Sequence, residues 1–200
     1  MAGKINMKKE AERSLLKKTW NFLWNSDSFL SWIIDLALIY LFVKFIFFPL
    51  LTLIFATPLP SVIVQTSSMT HNNLDFNSWW QDFGEWYLKN SIVWEDAEKW
   101  HYSNGLDKGD IVILKGERDK DYDLEVGDII VFDAHPNQAI PIIHRVVVIN
   151  PDGSVGTKGD NNMDQHSWEK NLPASKILGK AIFRIPKLGW IKLGIVELFQ

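Results

Sequence analysis

The chain has 200 residues, 46% of them hydrophobic and 22% charged, with ten tryptophans and no cysteine. That length suits one domain with an appendage, and the apolar and aromatic content excludes a disordered chain. Without cysteine there are no disulfides, thiolate metal sites, iron–sulfur clusters or thiol nucleophiles. A formal net charge of −3 argues against a strongly basic nucleic-acid binder, and no nucleic-acid partner is expected.

The charge is unevenly spread. Residues 1–26 hold Lys4, Lys8, Lys9, Arg13, Lys17 and Lys18 against Glu10 and Glu12. The almost wholly apolar run Phe29–Ala56 follows, and as a helix rising 1.5 Å per residue it would measure roughly 42 Å, enough to cross a bilayer with tilt. A cleaved signal peptide has an apolar core of only about 7–15 residues and ends at a small-residue cleavage site. The run is too long for that, so it reads as an uncleaved signal anchor. Basic residues before a span stay on the cytoplasmic side. The expected layout is therefore a cytoplasmic basic tail (1–28), a single transmembrane anchor (29–56) and an external domain (57–200) on the outer face of the cell membrane. Asp35 and Lys44 interrupt the span. Lys44 reads as a snorkelling side chain helped by a kink at Pro49, with a contact to a membrane-embedded partner as the alternative.

Beyond Pro58 and Pro60 the texture is β. Ser61–Gln65, Asp110–Leu114, Asp128–Phe132, Pro141–Ile149 and Ser154–Thr157 are short, β-branched runs bounded by turn residues. The repeated starts Gly109-Asp110 and Gly127-Asp128 read as turn chemistry. The expected fold is mainly β, an N-terminal anchor helix followed by a folded sheet or partial barrel. Between strands lies a helical insertion (77–104), in which Trp79, Phe83, Trp86, Tyr87 and Trp94 recur at roughly helical spacing. Its tryptophans could cap the β core or rest on lipid headgroups, and the two roles are compatible if one face does each. The segment from Ile185 onward is too short to span and could lie at the interface.

Three pieces carry chemistry. Ser68, in Gln65-Thr66-Ser67-Ser68-Met69, is a candidate nucleophile; His144, within an apolar strand, a candidate base; Asp160, in the turn Lys158-Gly159-Asp160-Asn161-Asn162, a candidate acid. A serine hydroxyl is a poor nucleophile until a neutral imidazole takes its proton, and a carboxylate on the far ring nitrogen fixes the tautomer. His71, three residues after Ser68, is a rival base on proximity. His71, His101, His135 and His166 show no metal-ligand spacing, so no metal and no cofactor are expected.

These segments resemble the type I signal peptidases, specifically the archaeal and endoplasmic-reticulum branch that uses histidine where the bacterial branch uses lysine. The likeness rests on Ser68-Met69, Gly109-Asp110, Gly127-Asp128, Ile143-His144-Arg145-Val146-Val147 and Thr157-Lys158-Gly159-Asp160-Asn161-Asn162. Gly179-Lys180-Ala181 and Ile185-Pro186-Lys187-Leu188-Gly189-Trp190 add to it. It implies a membrane-bound serine endopeptidase that removes signal peptides from exported preproteins after small residues, working beside the protein-translocation channel. It also implies Ser68 as nucleophile, His144 as base, and Thr66 with the Ser68 N–H as oxyanion donors. Ser67 stands where relatives have glycine, and His71 where they have proline. Position 166, where a second aspartate is common, is histidine, and Asp164 falls two residues early. Asp160 is thus the favoured orienting acid and Asp164 the weaker candidate. The rivals are a Ser–Lys protease with Lys158 as base, and a non-catalytic, membrane-tethered β module that binds export substrates or partners.

Overall fold

The computed structural model describes Lys17, residues 28–119 and residues 121–197. Apart from Lys17 and Ser28, the basic N-terminal tail lies outside the described residues. The chain divides into two compact units, Met1–Leu50 and Leu51–Gln200.

The continuous helix Phe29–Phe55 is long and apolar enough to cross a membrane. Its first part, α1 (Phe29–Phe42), is capped by the Ser28 hydroxyl, which accepts from the Ser31 N–H. A π-helical segment, Val43–Phe47, separates α1 from α2 (Phe48–Phe55). Its wide turn is closed by the Phe48 N–H bonding to the Val43 carbonyl, just before Pro49, which has no N–H to give. Lys44 sits in this segment, its ammonium 5.6 Å from the centre of the Tyr40 ring and 5.5 Å from that of Phe45.

The second unit is built on one six-stranded antiparallel sheet: β1 (Ser61–Ile63), β2 (Ile111–Lys115), β3 (Ile129–Phe132), β4 (Ile142–Ile149), β5 (Val155–Lys158) and β6 (Ile177–Ile185), in the spatial order β1-β2-β6-β3-β4-β5. The first five match the expected runs to within two residues at each end. β6 was not expected. Gly179, Lys180 and Ala181 interrupt its β-branched pattern, yet they suit its central place between β2 and β3. A Cβ on Gly179 would stand 2.9 Å from Leu114 Cβ, so only glycine lets β2 approach this closely.

All four residues of β3 are buried. Ile129 and Val131 join one core with Val64, Met69, Val112 and Leu114. Ile130 and Phe132 join another with Val146, Val155 and Ile177. Both Gly-Asp starts are turns: Gly109 and Gly127 have φ of 90° and 105°, a backbone that side chains other than hydrogen resist. Asp110 then accepts from the Asp107 N–H and Asp128 from the Glu125 N–H, the same side-chain-to-backbone bond used twice.

The insertion forms α3 (Phe76–Lys89), capped by Asp75, and the short α4 (Trp94–Ala97). Its aromatic residues turn inward. Trp79 and Tyr87 are buried, and with Phe76, Ile92 and Ala97 they pack on Val147 of β4. None of Trp80, Trp86, Trp94 and Trp100 is fully exposed. Through these contacts the insertion caps the sheet. The helix α5 (Trp190–Glu197) ends the described chain, with Trp190 lying over Gly109.

Candidate active site

Successive residues of a strand face opposite sides of a sheet, and β4 thereby separates two adjacent side chains, His144 and Arg145. His144, cross-strand from Ile130, lies on the side of Phe132 and Val146. Arg145, cross-strand from Lys158, lies on the side covered by the insertion.

His144 is 4% exposed, and its Nδ1 stands 2.5 Å from Oε1 of the fully buried Glu169. A carboxylate can only accept, so Nδ1 donates the hydrogen of this bond and Nε2 is the ring nitrogen left for another partner. Glu169 is held by its own surroundings. It closes a 3-10 turn, Ser167–Glu169, in a capping box whose N-cap is His166: its other oxygen accepts from the His166 N–H at 2.9 Å. The Thr157 hydroxyl donates to Oε1 at 3.3 Å.

Ser68 follows β1 on an exposed stretch and is half-buried, while the next side chain, Met69, enters the core. The turn after β5 pins its backbone. Asn161 donates from its N–H to the Ser68 carbonyl at 2.8 Å and from its amide side chain to the Ser67 carbonyl at 3.1 Å. Gly159 forms the junction. A Cβ there would stand 2.7 Å from Ser68 O and 2.8 Å from His144 Nε2, so that nitrogen and the Ser68 backbone are separated by no more than those two short distances together. Thr66 Oγ1 is 3.2 Å from Ser68 Oγ, in an exposed contact.

The expected acid is corrected. Asp160 does not orient His144, because both its oxygens are engaged on the other side of the sheet. Arg145 donates to them from Nε at 2.9 Å and from Nη2 at 2.6 Å, and His71 Nε2 lies 3.2 Å from Oδ2. Burial opposes its charge, but Arg145 and His71 hold the carboxyl far below the usual carboxylate range. Arg145 also donates to the carbonyls of His101, Tyr102 and Gly127, and the Trp100 ring covers its guanidinium at 4.9 Å. Asp160 is thus the fastener of the turn that grips Ser68: its own carbonyl accepts from Trp79 Nε1 at 3.2 Å.

Asp164, the weaker candidate, is exposed and accepts from Trp86 Nε1 at 2.8 Å, which lowers its pKa below the ordinary carboxylate value. It ties the insertion to the loop and does not contact the imidazole. His71, the rival base, is buried, stacked on Trp79 at 4.1 Å and paired with Asp160. Among the described residues no group of three or more histidine and acidic side chains could hold a metal ion.

Glu169 is the residue that sequence reading missed. It lies nine residues after Asp160, outside the turn. Its one cue was local, a glutamate three residues after a helix-capping position, the spacing of a capping box.

No known family model matches the chain, and no curated protein matches it. The fold and the site define a mainly antiparallel β protein with an apolar N-terminal helix, in which the Ser68 backbone and a buried histidine–carboxylate pair both abut one glycine.

Proposed function

We propose that the chain is a membrane-bound serine endopeptidase of the type I signal-peptidase kind, in the histidine-using branch, which cleaves signal peptides from exported preproteins after small residues. The observation that carries this reading is the orientation of His144. Glu169 occupies Nδ1, and the free Nε2 faces the Gly159 junction that Ser68 shares.

In this reading Ser68 Oγ attacks the scissile carbonyl while His144 Nε2 takes its proton, and Glu169 stabilises the imidazolium. The tetrahedral oxyanion is met by the Ser68 N–H and the Thr66 hydroxyl. His144 then delivers the proton to the leaving amine as the C–N bond breaks, and water, deprotonated by His144, hydrolyses the acyl-serine. Exported chains present the cleavage region in extended form. β1 ends the sheet on one side and leads straight to Ser68, which suits a substrate added as a further strand. The basic residues before the helix favour a cytoplasmic N-terminus and an external catalytic domain, beside the translocation channel from which substrates emerge.

The test is cleavage of a preprotein in detergent, with the new N-terminus sequenced. Wild type should cut after a small residue, and Ser68→Ala should lose about 10³-fold or more in rate. Undiminished cleavage by Ser68→Ala would leave the non-catalytic β module as the better reading.

A further inference from the structure

The two asparagines of the turn after β5 are used differently. The Asn161 amide is engaged within the protein: it donates to the Ser67 carbonyl at 3.1 Å, and its oxygen accepts from Asn72 Nδ2 at 3.2 Å. Asn162 closes the turn with its backbone, whose N–H donates to the Gly159 carbonyl at 3.0 Å. An asparagine that served only the turn would return its side chain to nearby backbone. The Asn162 amide makes no such bond among the described residues and reaches the Gly159 junction instead.

A Cβ on Gly159 would stand 2.8 Å from Asn162 Nδ2, 2.8 Å from His144 Nε2 and 2.7 Å from Ser68 O. Any two of these three atoms are therefore separated by no more than two hydrogen-bond lengths, a gap that one small group spans.

The three atoms differ in what they ask of such a group. Nδ2 can only donate, and the Ser68 carbonyl can only accept. In the proposed reaction Nε2 accepts as well. Asn161 N–H takes one lone pair of the Ser68 carbonyl at 2.8 Å, which leaves the second. A substrate carbonyl would satisfy Nδ2 but give nothing to Nε2, and a substrate N–H would serve Nε2 but take nothing from Nδ2. Water satisfies all three. Its two hydrogens go to Nε2 and Ser68 O, one lone pair receives the Nδ2 hydrogen, and the other is left to attack a carbon. Three hydrogen bonds are the usual complement of an ordered water.

We infer that Asn162 is a catalytic residue of the second half-reaction, its amide holding the water that releases the acyl group from Ser68. This rests on the reading of Ser68 and His144 as nucleophile and base. The water gives a proton to Nε2 as its oxygen bonds to the acyl carbon. The tetrahedral adduct then collapses, the bond from carbon to Ser68 Oγ breaks, and Nε2 returns the proton to that oxygen. Acyl-serine and water become a carboxylic acid and serine, with nothing else consumed. Asn162 neither gains nor loses a proton; it acts by fixing where the water stands.

The experiment uses the full-length protein in detergent and a signal-peptide substrate with an ester in place of the scissile amide. The better leaving group makes acylation fast, so kcat reports hydrolysis of the acyl-serine, while kcat/KM still reports acylation. Asn162→Ala, and Asn162→Leu of similar size, remove the donor. Both should lower kcat about 10²-fold, the cost of a misplaced reactant, with kcat/KM at the wild-type value. Acid-quenched enzyme should be heavier by the acyl peptide in intact-mass spectra, and the leaving fragment should appear in a burst. An unchanged kcat overturns the inference. So does a kcat/KM that falls as far as kcat with no adduct, because the damage then lies in acylation. If Asn162→Ala lacks a cooperative thermal transition, Asn162→Leu decides on the same terms. Ser68→Ala separates the two claims: turnover by that variant above the enzyme-free rate defeats the proposed function itself. An inactive Ser68→Ala beside an unslowed or adduct-free Asn162→Leu defeats only the role of Asn162.

Discussion

Glu169 Oε1 stands 2.5 Å from His144 Nδ1, while Asp160, sixteen residues after His144 and in the expected acid turn, faces Arg145 across the sheet. The division of labour between these two carboxylates follows from strand alternation. His144 and Arg145 are adjacent and must point to opposite sides, so one acid cannot serve both.

The first prediction compares the carboxylates. Glu169→Gln should lower kcat by about 10²-fold or more with little change in KM, since an amide can present a donor to Nδ1 and stabilise the wrong tautomer. Asp164→Asn, at an exposed position, should stay within about threefold of wild type, in line with the small effects of surface substitutions. Steady-state kinetics on all three acids, Asp160→Asn included, checks the ranking; a larger kcat loss at Asp164 than at Glu169 would reverse the assignment.

Asp160 should show its importance in stability. Removing one partner of a buried ion pair strands the other charge, at a cost of about 3–5 kcal/mol, so Asp160→Asn should unfold at markedly lower urea concentration. The pH dependence has a definite sign. The folded carboxyl is held below its ordinary value of 3.8, so its contribution is complete above that value and drains away as the pH falls below it. Acid unfolding of wild type should therefore steepen below about pH 4, and Asp160→Asn should lack that component.

Gly159 tests the junction. A methyl group there would meet Ser68 O at 2.7 Å, Asn162 Nδ2 at 2.8 Å and His144 Nε2 at 2.8 Å, all closer than carbon normally approaches. Relief requires His144 or the Ser68 backbone to move, and a displacement of about 1 Å near the chemistry can cost about 10²-fold. Gly159→Ala should lose that much in kcat while retaining a cooperative thermal transition. Full activity would mean that Ser68 and His144 do not depend on this contact.

Thr66 offers a more local check. As an oxyanion donor its loss should cost about 10²–10³ in kcat. Thr66→Val should show that deficit with KM unchanged, and Thr66→Ser should restore most of it; equal activity in the valine variant would remove Thr66 from the oxyanion site.

Much of this architecture is legible in the residues. The apolar run, the turn glycines and the β-branched segments state their structures through local physics, and five of the six strands follow from them. β6 escaped because Gly179 and Ala181 are there for close approach to β2, a tertiary demand with no periodic signature. Ser68 and His144 stand out as candidates through the short motifs that hold them, and the structure brings the Ser68 backbone and His144 Nε2 to one glycine. Glu169 does not stand out, because its role depends on a 3-10 turn folding back over β5. The insertion's aromatic spacing announced a helix, but not that Phe83, Trp86 and Tyr87 would enclose Lys158, since the partner of an aromatic face is set by the fold.

The most direct test of the central claim, a serine activated by His144, is preprotein cleavage under single-turnover conditions by wild type, Ser68→Ala, His144→Ala and Lys158→Met. The expected result is that Ser68→Ala and His144→Ala are both inactive while Lys158→Met still cleaves. Cleavage by His144→Ala together with an inactive, folded Lys158→Met would contradict it and make Lys158 the base.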